Sequence, residues 1–204
     1  MRKFLSALIL ITAAVSGCTS GGPRYVDLYY TGEIGGLQSG KVGISAFSDL
    51  RSGAGAGYVG TRYLGKSGKE TFIAYGGDLG QSVTGICKSY LQDSGFDCTS
   101  IPRWEHTPEG VRDAGGRFDF IVGGEIRTLE CFAMKKIGFT SIILDIDIVI
   151  HIGDPRKVEL KTTPVKLKLE RTEITFSEEK LQNFLNESLR EIIQIALSSG
   201  GNST

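Results

Sequence analysis

Gly60-Thr61-Arg62-Tyr63-Leu64-Gly65-Lys66-Ser67 fits the phosphate-loop pattern G-x-x-x-x-G-K-[ST] letter for letter. Ile142-Ile143-Leu144-Asp145 imitates the apolar run ending in Asp that would hold a magnesium ion. Such a loop grips phosphates only when a helix begins at its lysine, because the N-terminal amides and the helix dipole make the anion site. Here Gly68-Lys69-Glu70-Thr71-Phe72-Ile73 follows, a strand pattern without a helical face. No nucleotide and no other cofactor is therefore expected.

Asp145 and Asp147 are carboxylates on one face of a strand, about 7 Å apart, a separation some glycosidases use between acid and base. If residues 153–156 close a hairpin, Lys166 and Lys168 come opposite them, and cross-strand charge pairs of that kind are ordinary. His151 falls at a strand end on the polar face. His106 falls in a loop beside Trp104 and Glu105. Neither has a neighbouring nucleophile, and both read as surface residues. No G-x-S-x-G elbow occurs, so catalytic residues are expected to be absent and the chain is read as a non-enzyme. Trp104, Tyr58, Tyr63 and Tyr75 could form a contact patch, since aromatic residues lead interface hot spots, or lie half-buried under the loop over 102–117.

Cys87 and Cys98 are spaced so that a helix and the following strand could bring them together, and a bridge closing so short a loop would contribute about 2–3 kcal/mol. Equally, Cys87, Cys98 and Cys131 could be small buried apolar residues; both readings stand. No Cys-x-x-Cys pair occurs, and no metal site is expected.

The elements that carry these residues are read from periodicity. Strands are expected over 41–47, 58–64, 70–75, 96–101, 118–132, 140–152 and 158–171, with a bulge at Gly123-Gly124 and a bulge or edge position at Pro164, where the alternation changes phase. Asp78 caps a helix over 79–93, whose apolar face holds Leu79, Val83, Ile86, Cys87, Tyr90 and Leu91. Thr175 or Ser177 caps a last helix with the stripe Leu181, Phe184, Leu185, Leu189, Ile192, Ile193, Ala196 and Leu197. Residues 102–117, with two prolines and three glycines, read as a loop with at most one helical turn. These elements predict an α+β fold: a mostly antiparallel sheet of about five or six strands with two helices packed on one face.

At the N-terminus, Arg2 and Lys3 precede an apolar run over 4–15 and then Val15-Ser16-Gly17-Cys18. A run of that length suits a secretory signal and is too short for a membrane span, which needs roughly 20 residues. The stretch resembles a bacterial lipoprotein signal, whose cysteine is acylated and becomes the mature N-terminus; here that is Cys18, and its chains anchor the protein in a bilayer. Thr19, where an Asp would favour the inner membrane, implies sorting to the outer membrane, with the body on the periplasmic face. The expected organisation is a signal peptide over 1–17, lipidated Cys18 and a flexible tether over 18–40, one domain over 41–199 and a disordered tail over 200–204. The 204-residue chain carries 23 basic and 23 acidic residues with no basic stripe, so nucleic acid is not an expected partner.

The whole pattern, signal included, resembles the YajG-like group of small bacterial lipoproteins, themselves related in outline to auxiliary lipoproteins of envelope transport systems. The likeness lies in Val15–Cys18, Ala46-Phe47-Ser48-Asp49-Leu50-Arg51, Tyr58-Val59-Gly60-Thr61-Arg62, Ser94-Gly95-Phe96 and Leu185-Asn186-Glu187-Ser188-Leu189. It implies an outer-membrane lipoprotein and no catalytic residues. The function expected is that of a lipid-anchored, non-catalytic envelope protein that binds or scaffolds unidentified envelope proteins. The alternative is a carrier of a lipid or other apolar ligand held between sheet and helices.

Overall fold

Residue 120 opens the strand around which the molecule is built. The computed structural model describes residues 22–32 and 38–198; Cys18, the signal over 1–17 and the tail over 200–204 lie outside them. The strands are β1 (Arg24–Val26), β2 (Lys41–Ser45), β3 (Ser48–Asp49), β4 (Tyr58–Tyr63), β5 (Lys69–Ala74), β6 (Asp97–Ile101), β7 (Phe120–Lys136), β8 (Phe139–Asp154) and β9 (Glu159–Glu173). The helices are α1 (Leu79–Asp93), α2 (Pro108–Gly115) and α3 (Glu178–Ser198).

At 17 residues, β7 is long enough to take several partners along one edge. Strand β2 pairs its start, β3 its middle and β4 its far end, all parallel to it. Its other edge pairs antiparallel with β8, and β8 in turn with β9. Strand β6 extends the sheet beyond β2 in parallel. Beyond β4 come antiparallel β5 and then parallel β1. The sheet is thus nine-stranded and mixed, with three helices among the described residues, and this corrects the expected five or six mostly antiparallel strands with two helices. The alternation of β8 and β9 exposes the hairpin, but the short strands between glycine-rich loops carry no local record of their partners' direction.

The main core lies between one face of the sheet and helices α1 and α3. Ile142, Leu144, Ile146, Ile148 and Ile150 of β8 meet Leu185, Leu189 and Ile192 of α3 and Val83, Ile86 and Cys87 of α1, all essentially excluded from solvent. Both helices start as their sequences dictate. Asp78 Oδ1 accepts from the Gln81 amide at 2.9 Å, and Ser177 Oγ accepts from the Lys180 amide at 3.2 Å, each satisfying an orphan donor of the first turn.

The third helix lies on the opposite face, in the segment expected to be a loop. Thr107 Oγ1 accepts from the Gly110 amide at 3.1 Å, and Pro108 occupies the first turn, where its missing N–H costs nothing. Gly110 is needed there, because a Cβ would run into the Glu105 carbonyl. Val111 of this helix closes a second apolar cluster with Trp104, Phe118 and Ile121.

Two covered faces explain the phase change in β9. Leu160 packs against the cluster under α2, whereas Val165, Leu167 and Leu169 face the main core. The β8 register runs through Pro164 without a slip, and Pro164 sits on an edge strand, where its missing N–H breaks no ladder bond. The β7 bulge falls between Ile126 and Thr128, not at Gly123-Gly124, which pair regularly with His151 and Ile150. Those glycines serve close approach instead: a Cβ on Gly124 would strike the Phe47 ring.

Residues 24–29 also make contacts with the sheet and α3. Strand β1 pairs with β5, and the following residues are held by α3. The amides of Asp27 and Tyr29 donate to Gln182 Oε1 at 2.8 Å and Asn186 Oδ1 at 3.1 Å, and Asn186 Nδ2 donates to the Asp27 carbonyl at 3.2 Å.

Candidate functional site

The residues singled out for nucleotide chemistry sit in a hairpin. Gly60 to Tyr63 lie within β4, Gly65–Ser67 make a single 3-10 turn, and β5 starts at Lys69. No helix begins at Lys66, so its backbone offers none of the convergent amides that a phosphate loop needs. Asp145 and Asp147 face Lys168 and Lys166 across the β8–β9 ladder, as the hairpin reading expects, and Lys166 Nζ lies 3.4 Å from Asp147 Oδ2.

Cys87, Cys98 and Cys131 are buried free thiols, and the bridge that spacing allowed between Cys87 and Cys98 is not formed. Burial pushes the Cys87 and Cys131 thiols up to about 12, and Cys98 to about 11. The aromatic patch is also divided. Trp104 is buried, Tyr58 donates to Glu130 Oε1 at 3.0 Å, and Tyr63 and Tyr75 stay exposed.

Among the described residues, one convergence of chemistry-bearing side chains was not foreseen from the sequence. His106 and His151, read as separate surface residues, come together on the α2 face of the sheet. Their rings stack with centroids 3.8 Å apart and planes inclined by 22°. Trp104 packs edge-on against His106, with centroids 4.8 Å apart. Glu125 of β7 completes the group: its Oε1 lies 3.8 Å from His106 Nδ1 and 3.8 Å from His151 Nε2. The other oxygen, Oε2, accepts from Arg127 Nη2 at 3.1 Å.

Sheet register positions these groups. His151 stands opposite Gly123 and Thr162, and Glu125 is the next residue of β7 on the same face. A Cβ on Gly123 would come within 2.7 Å of Ser45 Oγ, 3.1 Å of His106 Nε2 and 3.3 Å of Trp104 Nε1, so the glycine leaves room for the loop to bring His106 onto the sheet. Thr162 Oγ1 lies 2.9 Å from His151 Nδ1, leaving Nε2 turned toward Glu125, buried and without a hydrogen-bond partner.

Burial sets the charge state. It lowers the His151 pKa from 6.5 to about 4, with His106 and Arg127 adding to the fall and Glu125 opposing it. Burial also lowers the His106 pKa, again against Glu125. Both imidazoles are therefore neutral near pH 7, and their contacts with Glu125 are not ion pairs. At 3.8 Å they are also too long for hydrogen bonds. The arrangement gathers two imidazole nitrogens and one carboxylate oxygen within 4.8 Å of one another.

A signal for this site exists in the sequence. Glycine inside an apolar strand often marks where another group approaches closely, and Gly123 lies opposite the histidine of the next strand. What alternation could not supply was that α2 covers this face and buries His151.

No family model matches the chain, and no curated protein matches it. Among solved structures, a Xanthomonas campestris protein, XCC0632, of the family DUF330 aligns over 85% of this chain and 92% of its own, with a TM-score of 0.52 and 7% identity. A PelC dodecamer from Paraburkholderia phytofirmans aligns over 82% and 92%, with a TM-score of 0.41 and 13% identity. Lipoprotein GNA1162 of Neisseria meningitidis aligns over 77% and 98%, with a TM-score of 0.36 and 10% identity. What this chain shares with the Xanthomonas protein is its fold.

Proposed function

We propose that the protein is a lipid-anchored envelope protein that works by contact with envelope partners rather than by catalysis, held by acyl chains on Cys18 at the periplasmic face of the outer membrane. The observation that carries this reading is the sequence Val15-Ser16-Gly17-Cys18 at the end of a short apolar run, ahead of a folded body. No helix among the described residues is long and apolar enough to cross a membrane. The likeness to YajG-like lipoproteins, with Thr19 after the cysteine, supports the outer-membrane assignment. Labelled palmitate should enter the wild-type chain and not Cys18→Ser, and Thr19→Asp should move the protein to the inner membrane. A wild-type chain that takes no label and is recovered soluble from the cell interior overturns the reading.

Carriage of an apolar ligand is a second reading, favoured by one feature. A groove of about 1270 Å³ lies where the ends of α1 and α3 meet the end of the sheet, with Phe96, Phe120 and Leu197 in its wall and charged residues, among them Asp119, Arg156 and Lys157, along it. It is beside the sheet–helix interface, not inside it, since that interface is filled by buried side chains. Saturable binding of a fluorescent fatty acid, lost in Phe120→Asp, supports carriage; absence of saturable binding removes it.

A further inference from the structure

We propose that His106, Glu125 and His151 form a binding site for a divalent transition metal of the zinc class, with at least one coordination position open to solvent. The proposal stands apart from the envelope reading and needs no lipid anchor.

One donor atom from each residue lies within 4.8 Å of the other two, with both nitrogens 3.8 Å from Glu125 Oε1. Zinc bonds of about 2.0–2.1 Å in tetrahedral geometry hold donors roughly 3.4 Å apart. Closing the site on an ion therefore draws all three donors inward and turns the two imidazoles out of their stack, so that both in-plane lone pairs meet the ion. Two imidazoles and a carboxylate favour zinc and its first-row neighbours over calcium or magnesium, which prefer all-oxygen sites.

The surroundings supply support for the ligands and a reason for an ion to bind. Thr162 Oγ1 lies 2.9 Å from His151 Nδ1, and in the tautomer where Nδ1–H donates to that hydroxyl the lone pair is on Nε2. That Nε2 is buried and lacks a hydrogen-bond partner, a cost that a bound cation would remove. Arg127 occupies Glu125 Oε2, so Oε1 is left as a single donor between the histidines. The side chains of His106 and Glu125 are 22% and 23% exposed, and that of His151 is 8% exposed, so an ion can enter from solvent and keep a water.

The test is calorimetric titration of the chelator-stripped full chain, in detergent, with zinc chloride. One equivalent should bind per chain, and Glu125→Gln and His106→Ala should each weaken binding at least tenfold, with both variants still folded in the metal-free state. Thr162→Val, which leaves all three ligands, should weaken it by about 10- to 100-fold. Should the variants fold poorly, cobalt(II) loaded into the unmodified chain decides: intense visible bands of a four- or five-coordinate ion support the site, and only the pale octahedral spectrum overturns it. Failure of the unmodified chain to bind stoichiometrically, or binding unchanged in both ligand variants, also overturns it, whatever palmitate labelling shows.

Discussion

Arg51 closes on Asp49 through two parallel hydrogen bonds, Nε to Oδ1 and Nη2 to Oδ2, each 2.8 Å long. Its remaining nitrogen, Nη1, donates to the carbonyls of Tyr58 at 2.7 Å and Leu129 at 2.9 Å. One guanidinium thus ties the end of β3, the start of β4 and β7 just past its bulge together. The Asp-x-Arg sequence is a structural clamp, and its arginine side chain is only 7% exposed.

A lysine at position 51 keeps the charge but loses the planar fork, so it cannot hold the carboxylate and both carbonyls at once. Arg51→Lys should destabilise the fold by about 2 kcal/mol. Urea unfolding should register this as a lower midpoint with an unchanged slope.

The same pair predicts an acid response. The hydrogen bond from the Arg51 side chain, opposed by partial burial, holds the Asp49 carboxyl below its ordinary 3.8. A carboxylate with a depressed folded pKa contributes stability that is fully present above the unfolded value and lost as pH falls through the folded one. Stability should therefore drop on acidification below about pH 4, and Asp49→Asn should flatten that part of the curve. Thermal unfolding across the acid range, from about pH 5 downward, checks it.

Asn186 is fully buried in α3 and holds the chain just after β1 through both its amide atoms. Asn186→Ala leaves the Tyr29 amide and Asp27 carbonyl to water and should cost about 1–2 kcal/mol. Limited proteolysis should then cut near residues 27–31 before the rest of the chain. Leu189→Ala, which empties core volume one turn further on, should cost about 2–5 kcal/mol without that local preference.

Val158 turns the β8–β9 hairpin with a φ of 56°, a left-handed conformation that a β-branched residue adopts only at a cost. The residue is 37% exposed and contributes little packing. Val158→Gly should raise stability by about 1 kcal/mol, the left-handed penalty released. Differential scanning calorimetry would show a higher melting temperature.

The residues themselves determined what depends on neighbours along the chain. The 3.6-residue stripes and caps set α1 and α3, period-two alternation set the β8–β9 hairpin, and its register put Lys166 and Lys168 opposite Asp147 and Asp145. Strand Lys69–Ala74 after Lys66 likewise follows from the local pattern around the phosphate-loop letters. Tertiary structure decided the rest. Parallel pairing of β2, β3 and β4 along β7 depends on contacts distant in sequence, which no local period encodes. Glycines in 102–117 concealed α2, although Thr107 and Pro108 signal its start. Only when α2 and Trp104 cover the second face does His151 become buried, and only then do the loop bearing His106 and the strand bearing Glu125 meet it. A site made from three separate segments has no spacing to read, because its geometry is created by the packing.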